Sequence, residues 1–163
     1  MPGFESGRRG SRVRTPQAPA RARISEADLI AAARQARQHA VASYSGFAVG
    51  AALETADGDV ITGCNVENAT YGLTMCAERV ALFKALSIGH RGFRRLAVVA
   101  DSASPVPPCG ACRQLLVEFA PNLAIVAASL GQRTRRWRPG TLLPDPFTRR
   151  LLDERSARKR RGR

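Results

Sequence analysis

Three cysteines and one glutamate carry the strongest chemical signal in this chain. Cys109 and Cys112 stand at C-x-x-C spacing directly after Pro108, and Cys76 lies upstream in the run Cys76-Ala77-Glu78. Thiolates are soft ligands that suit zinc. A catalytic zinc site uses three protein ligands and keeps one position open for water, whereas a structural site closes with a fourth ligand. The fourth cysteine, Cys64, sits in a segment that reads as strand, which suits packing better than ligation. One open zinc site per chain is therefore expected on Cys76, Cys109 and Cys112. Glu78 is placed to take a proton from an attacking water and pass it to a leaving group. Its blander reading is an acid favoured by the first turn of a helix.

Both motifs open predicted helices, and there is a physical reason for that placement. Three thiolates on a divalent cation leave a net charge of about −1, which weakens the metal as a Lewis acid. Helix N-termini present free N–H groups and a positive dipole end toward the sulfurs. Arg79 can add a charged hydrogen bond from the second coordination sphere.

The elements that must hold these residues are legible from local patterns. Ser25-Glu26-Ala27-Asp28 is a capping start, and apolar residues then recur at helical spacing to about Ala42. Phe47–Thr55 reads as a strand, Asp57-Gly58 as a hairpin turn and Val60–Val66 as the return strand. Met75–Ser87 reads as a helix stopped near Gly89, Leu96–Ala100 as a buried strand, Cys109–Phe119 as a third helix and Leu123–Ala128 as another buried strand. This alternation describes a layered α/β domain.

The formal charge of +13 suggests a nucleic-acid-binding footprint until it is mapped. Residues 1–24 carry a net +5 and residues 133–163 a net +9, whereas residues 25–132 carry a net −1. The basicity sits in the two ends, so no specific nucleic-acid partner is expected. Residues 1–24 are rich in Arg, Pro, Gly and Ser and read as a disordered extension. The chemistry-bearing domain spans 25–148, and 149–163 reads as a basic tail. No apolar run approaches the roughly 20 residues that span a bilayer. With no secretory pattern, a cytoplasmic location is expected, organelle targeting by the Arg-rich N-terminus being the alternative.

Four segments resemble one family in order and spacing. They are Tyr44–Leu53 (YSGFAVGAAL), Gly63–Glu78 (GCNVENATYGLTMCAE), Pro108–Gln114 (PCGACRQ) and Leu142–Phe147 (LLPDPF). Together they resemble the small homotetrameric zinc-dependent cytidine deaminases over about residues 25–148. The resemblance implies a three-layer fold with a mixed central sheet flanked by helices. It implies hydrolytic deamination of cytidine and 2′-deoxycytidine in pyrimidine salvage, with a small nucleoside as substrate. In zinc deaminases of this kind a glutamate that is not a metal ligand moves the protons. The resemblance gives Asn65 and Glu67 a ribose-binding role, Phe47 a place beside the pyrimidine, and the backbone at Ala77 a contact with the base. Phe147 would reach a neighbouring subunit's site in a homotetramer with sites near subunit boundaries, and Tyr71 would lie near such a boundary. Taken singly, Asn65 and Glu67 are equally readable as turn formers, and Phe47 and Phe147 as core. Three departures stand out: Thr141 where the family more often has an acid, the Arg-rich stretch Gly131–Gly140, and an N-terminal extension longer than the compact family form needs.

Overall fold

The computed structural model describes residues 23–131 and 133–153. The disordered extension expected over most of 1–24 and the end of the basic tail lie outside the described residues. Residues 149–153, expected as the start of that tail, are helical.

The first helix, α1, runs Glu26–Arg37, with Ser25 as its N-cap accepting from the Asp28 N–H at 3.0 Å. A hairpin follows, β1 (Val49–Thr55) and β2 (Val60–Cys64). A single 3-10 turn at Tyr71–Leu73 leads to α2 (Ala77–Ser87). Then come β3 (Phe93–Ala100), α3 (Gly110–Phe119), β4 (Ala124–Ala128), β5 (Thr134–Trp137) and the short α4 (Pro139–Leu142). The sheet order is β2-β1-β3-β4-β5. Only β3 and β4 run parallel, so the sheet is mixed, as expected.

Strand alternation assigns each side chain to one of two cores. Ala52, Ala97, Val99, Val126 and Ala128 face α1 through Leu29 and Ala33. Ala51, Leu53, Leu96, Val98, Ile125 and Ala127 face α2 and α3 through Ala81, Leu82, Ala85 and Leu116. The result is three layers, with α1 on one side of the sheet and α2 and α3 on the other.

Small residues set how closely the helices approach. A Cβ on Gly63 would lie 2.6 Å from the Ala81 nitrogen and 2.7 Å from the Ala77 oxygen. Both are α2 backbone atoms, so the helix that carries Glu78 would have to lift away. Gly63→Ala is expected to cost about 1–3 kcal/mol of stability, the range for overpacking a tight core. Urea unfolding of the two proteins measures it, and an unchanged midpoint would show that α2 tolerates the shift.

Two sequence expectations need correction. The first helix ends at Arg37, not near Ala42. Ala40 closes a turn onto the Arg37 carbonyl, and Val41 bridges Val66 instead of continuing the helix. Its N–H donates to the Asn65 carbonyl at 2.9 Å and its carbonyl accepts from the Glu67 N–H at 2.8 Å. These long-range bonds outcompete a last helical turn, and they bring 44–47 beside 65–67. Val66 is likewise not part of β2, since it bridges Val41 and Met75. The second correction concerns the basic C-terminal end. Its residues 134–137 form strand β5, paired antiparallel with β4, so part of that charge belongs to the fold.

Candidate active site

The two cysteine motifs meet where α2 and α3 begin. Cys76 is the N-cap of α2 and Cys109 the N-cap of α3, and Cys112 lies in the first turn of α3. Neither N-cap thiol accepts a capping bond from the backbone N–H groups of its own helix. The Cys76 and Cys109 sulfurs are 3.5 Å apart, as are those of Cys109 and Cys112. All three sulfurs lie within 4.8 Å of one another. Tetrahedral zinc with Zn–S bonds of about 2.3 Å places its sulfurs roughly 3.8 Å apart, so the cluster has the right dimensions. All four cysteines are free. Cys64 stands apart and donates its S–H to the His39 carbonyl at 3.2 Å.

The electrostatics of the cluster also fit a cation. The Cys76 thiol is pulled down to about 5, chiefly by a hydrogen bond from Cys112 and also by Arg79. Cys112 is driven upward by that same bond and by its burial. Without a cation Cys76 therefore favours its thiolate and Cys112 its protonated form. A dication would let all three sulfurs ionise. Arg79 bonds the Cys76 sulfur at 3.6 Å and the Thr74 carbonyl at 2.8 Å, which anchors the guanidinium beside the cluster.

Glu78 sits in the first turn of α2, only 6% exposed. Burial pushes its carboxyl up to about 7. It lines one cleft together with Phe47, Asn65, Glu67, Cys76, Ala77 and Cys109. Seven of the residues singled out in the sequence are thus brought to one pocket. Cys112 lies behind it, 1% exposed, as the buried member of the cluster. Phe147 does not line the pocket. It is 60% exposed, and its carbonyl accepts from Gln114 Nε2 at 2.6 Å on the outer side of α3. Tyr71 is likewise outside the pocket, exposed, with its ring edge-on to Tyr44.

Asn65 and Glu67 also carry local structure. The Asn65 carbonyl oxygen accepts from the Val49 N–H at 2.8 Å, and its amide donates to the Phe47 carbonyl at 2.9 Å. The Glu67 carboxylate accepts from the Tyr44 and Ser45 N–H groups at 2.8 and 3.0 Å and from the Ser45 hydroxyl. Those bonds, the hydroxyl first, hold its pKa below the usual carboxylate range. A carboxylate has about four acceptor sites and an amide two donors, so each keeps capacity for a ligand.

Sequence reasoning missed the apolar walls, Val49, Val98, Ala100, Val106 and Pro107, which come from β1, β3 and the loop before α3. It also missed Arg113. That side chain donates to the Pro108 carbonyl at 2.7 Å and the Leu142 carbonyl at 3.2 Å, tying the metal loop to α4. Its place in Pro108–Gln114 was visible; its distant partner at Leu142 was not.

Known proteins resemble this chain in sequence and in fold. Residues 24–128 match the family model described as the cytidine and deoxycytidylate deaminase zinc-binding region. A cytidine deaminase of Halalkalibacterium halodurans is 52% identical over 121 residues, covering 74% of this chain and 92% of its own. The crystal structure of cytidine deaminase from Burkholderia pseudomallei superposes with a TM-score of 0.74 at 50% identity, over 76% of this chain and 100% of that one. That of the Mycobacterium tuberculosis enzyme gives 0.66 at 43%, over 77% and 98%. With its three-thiol cluster and its glutamate at the start of α2, the chain belongs to the family of cytidine and deoxycytidylate deaminases defined by this zinc-binding region.

Proposed function

We propose that the protein hydrolyses cytidine and 2′-deoxycytidine to uridine and 2′-deoxyuridine, releasing ammonia. The observation that carries this reading is one cleft that combines the thiol cluster, a buried glutamate and a mouth holding Asn65 and Glu67. Cys76, Cys109 and Cys112 would hold the zinc, which would supply Lewis-acid activation of an attacking water. Glu78 accepts a proton from that water as oxygen adds to C4 of the cytosine ring. It delivers the proton to the ring nitrogen, and then helps the amino group leave as ammonia when the C4–N bond breaks. Phe47 and the backbone at Ala77 position the flat base, and the apolar walls exclude bulk water. Arg79 offsets the surplus negative charge of the thiolates.

The sugar end points to a free nucleoside. Asn65 and Glu67 offer acceptors and a donor for ribose hydroxyls. Among the described residues no Lys, Arg or His lines this cleft or the shelf beside it formed by Tyr44, Ser45, Glu67, Tyr71 and Thr74. A 5′-phosphate would meet the Glu67 carboxylate with no nearby counter-charge among the described residues.

The finer assignments follow from the same reading. The enzyme works in pyrimidine salvage, in the cytoplasm, as a homotetramer with sites near subunit boundaries. Exposed Tyr71, Leu73, Phe83 and Phe147 support assembly, since free apolar side chains of that size are costly in water. Phe147 would then act in a neighbour's site. Among the described residues no helix is long and apolar enough to cross a membrane.

An ammonia-release assay on a substrate panel tests the proposal, with metal measured in the same sample. Both nucleosides should turn over with about one zinc per chain, and the corresponding 5′-monophosphates at least about 100-fold less efficiently, the scale for an unpaired charge forced into a closed site. Zinc-replete protein that turns over neither nucleoside would sink the proposal. Sedimentation velocity on the same sample tests the tetramer, and a monomer would remove Phe147 from the site.

A further inference from the structure

We propose that an arginine face at the β4–β5 edge of the sheet binds the phosphodiester backbone of nucleic acid without reading its sequence. Arg23, Arg94, Arg95, Arg136 and Arg138 line two adjoining hollows that share Arg95, Ala124 and Arg138. They come from the approach to α1, the start of β3 and the end of β5, so the fold assembles them. Two carboxylates are present, Glu26 and Glu54, and these pair with Arg136 and Arg95. Arg23, Arg94 and Arg138 have no carboxylate partner among the described residues, and the hollows keep a surplus of positive charge. Within the described sheet β5 is an edge, paired only with β4.

The chemistry favours nucleic acid over other polyanions. Every cation on this face is arginine, whose planar fork matches phosphate oxygens bidentately. Trp137, the one large apolar side chain of β5, is half-buried against the core, which leaves little apolar surface to anchor a bilayer. The chain also enters the fold here, with Arg95 donating to the Ile24 carbonyl. Residues 1–22, which precede it, carry five further arginines and one glutamate.

This face is separate from the catalytic cleft. Arg95 begins the stretch of β3 that ends at Ala100 in the cleft wall, and five strand residues span about 16 Å. Arg95 and Arg136 also lie on the α1 side of the sheet, whereas the cleft lies on the α2 side. Nucleic acid held there leaves the cleft open to nucleosides, so the surface tethers the enzyme without feeding the active site.

Fluorescence anisotropy of the full chain with a labelled 20-nucleotide single strand tests this across a salt series. Binding should be independent of base sequence and should weaken steeply with salt. The variant Arg23→Gln/Arg94→Gln/Arg138→Gln should lower the log–log salt slope by about 2, the value for three lost single-strand phosphate contacts. Its cytidine kcat/KM should stay within about twofold of the parent, and oligonucleotide at saturation should leave the parent's cytidine KM unchanged. Arg94→Gln alone serves if the triple variant loses its turnover, with an expected slope change of about 0.7. The proposal is overturned if the Gln variants bind as the parent does, if substituting the arginines of residues 1–22 alone abolishes binding, or if anionic vesicles outcompete the oligonucleotide.

Discussion

Cys109→Ala is expected to strip the protein of zinc and to reduce cytidine turnover below about one thousandth of the parent, the scale of losing the activated nucleophile. Three sulfurs within 4.8 Å are the whole donor set among the described residues. Two remaining thiols, one of them on the buried face of α3, cannot hold a cation that prefers four ligands and already keeps one place for water. Stability should fall too, because a metal that binds only the folded state stabilises it by mass action. A chelator separates the two effects. It should lower the Tm of the parent by nearly the same amount as the substitution, and should leave the variant unmoved. Cys64→Ala is the control, since its thiol bonds the His39 carbonyl and stands outside the cluster. It should keep about one zinc per chain and most of its turnover. A Cys109→Ala protein that retains both metal and activity would disprove the ligand assignment.

The features that sequence reading captured are those set by local chemistry. Cys76 and Cys109 stand at helix N-caps, and the pattern that announces such a start, an apolar period opening after a cap, spans only a few residues. The strands of the sheet centre were legible for the same reason: Leu96–Ala100 and Ala124–Ala128 are apolar runs of the right length. What escaped was decided by distant partners. Nothing near Val41 says that Asn65 and Glu67 will take its N–H and carbonyl, so helical spacing carried α1 too far. Strand β5 was hidden because three of its four residues are Thr and Arg, which break the apolar alternation that marks a strand. Charged residues on a sheet edge are a common guard against pairing with other chains. The cleft walls escaped too, since Val98 and Val106 look like any other valines until β3 and the loop before α3 are set beside Phe47.

Glu78→Gln should keep the fold and the zinc but lose about 10²–10⁴ in kcat, the range for removing a positioned general acid–base group. The amide has nearly the same shape as the carboxylate, and Glu78 is not a member of the thiol cluster. Metal content should therefore match the parent. Stability should match or exceed it. Burial disfavours the charged carboxylate at this place and pushes its carboxyl up to about 7, whereas glutamine brings no charge to desolvate. A site that gains stability when its acid is neutralised is one where burial of that acid has been retained for function. The loss should fall on kcat and kcat/KM together, because the proton transfers occur after the nucleoside is bound. KM should move little, since Phe47, Asn65 and Glu67 still line the cleft. A raised KM with kcat intact would assign Glu78 to binding instead. Near-parent turnover with full zinc would leave the proton transfer without its residue, because Glu67, the other carboxylate of the cleft, is committed to Tyr44 and Ser45 at the mouth.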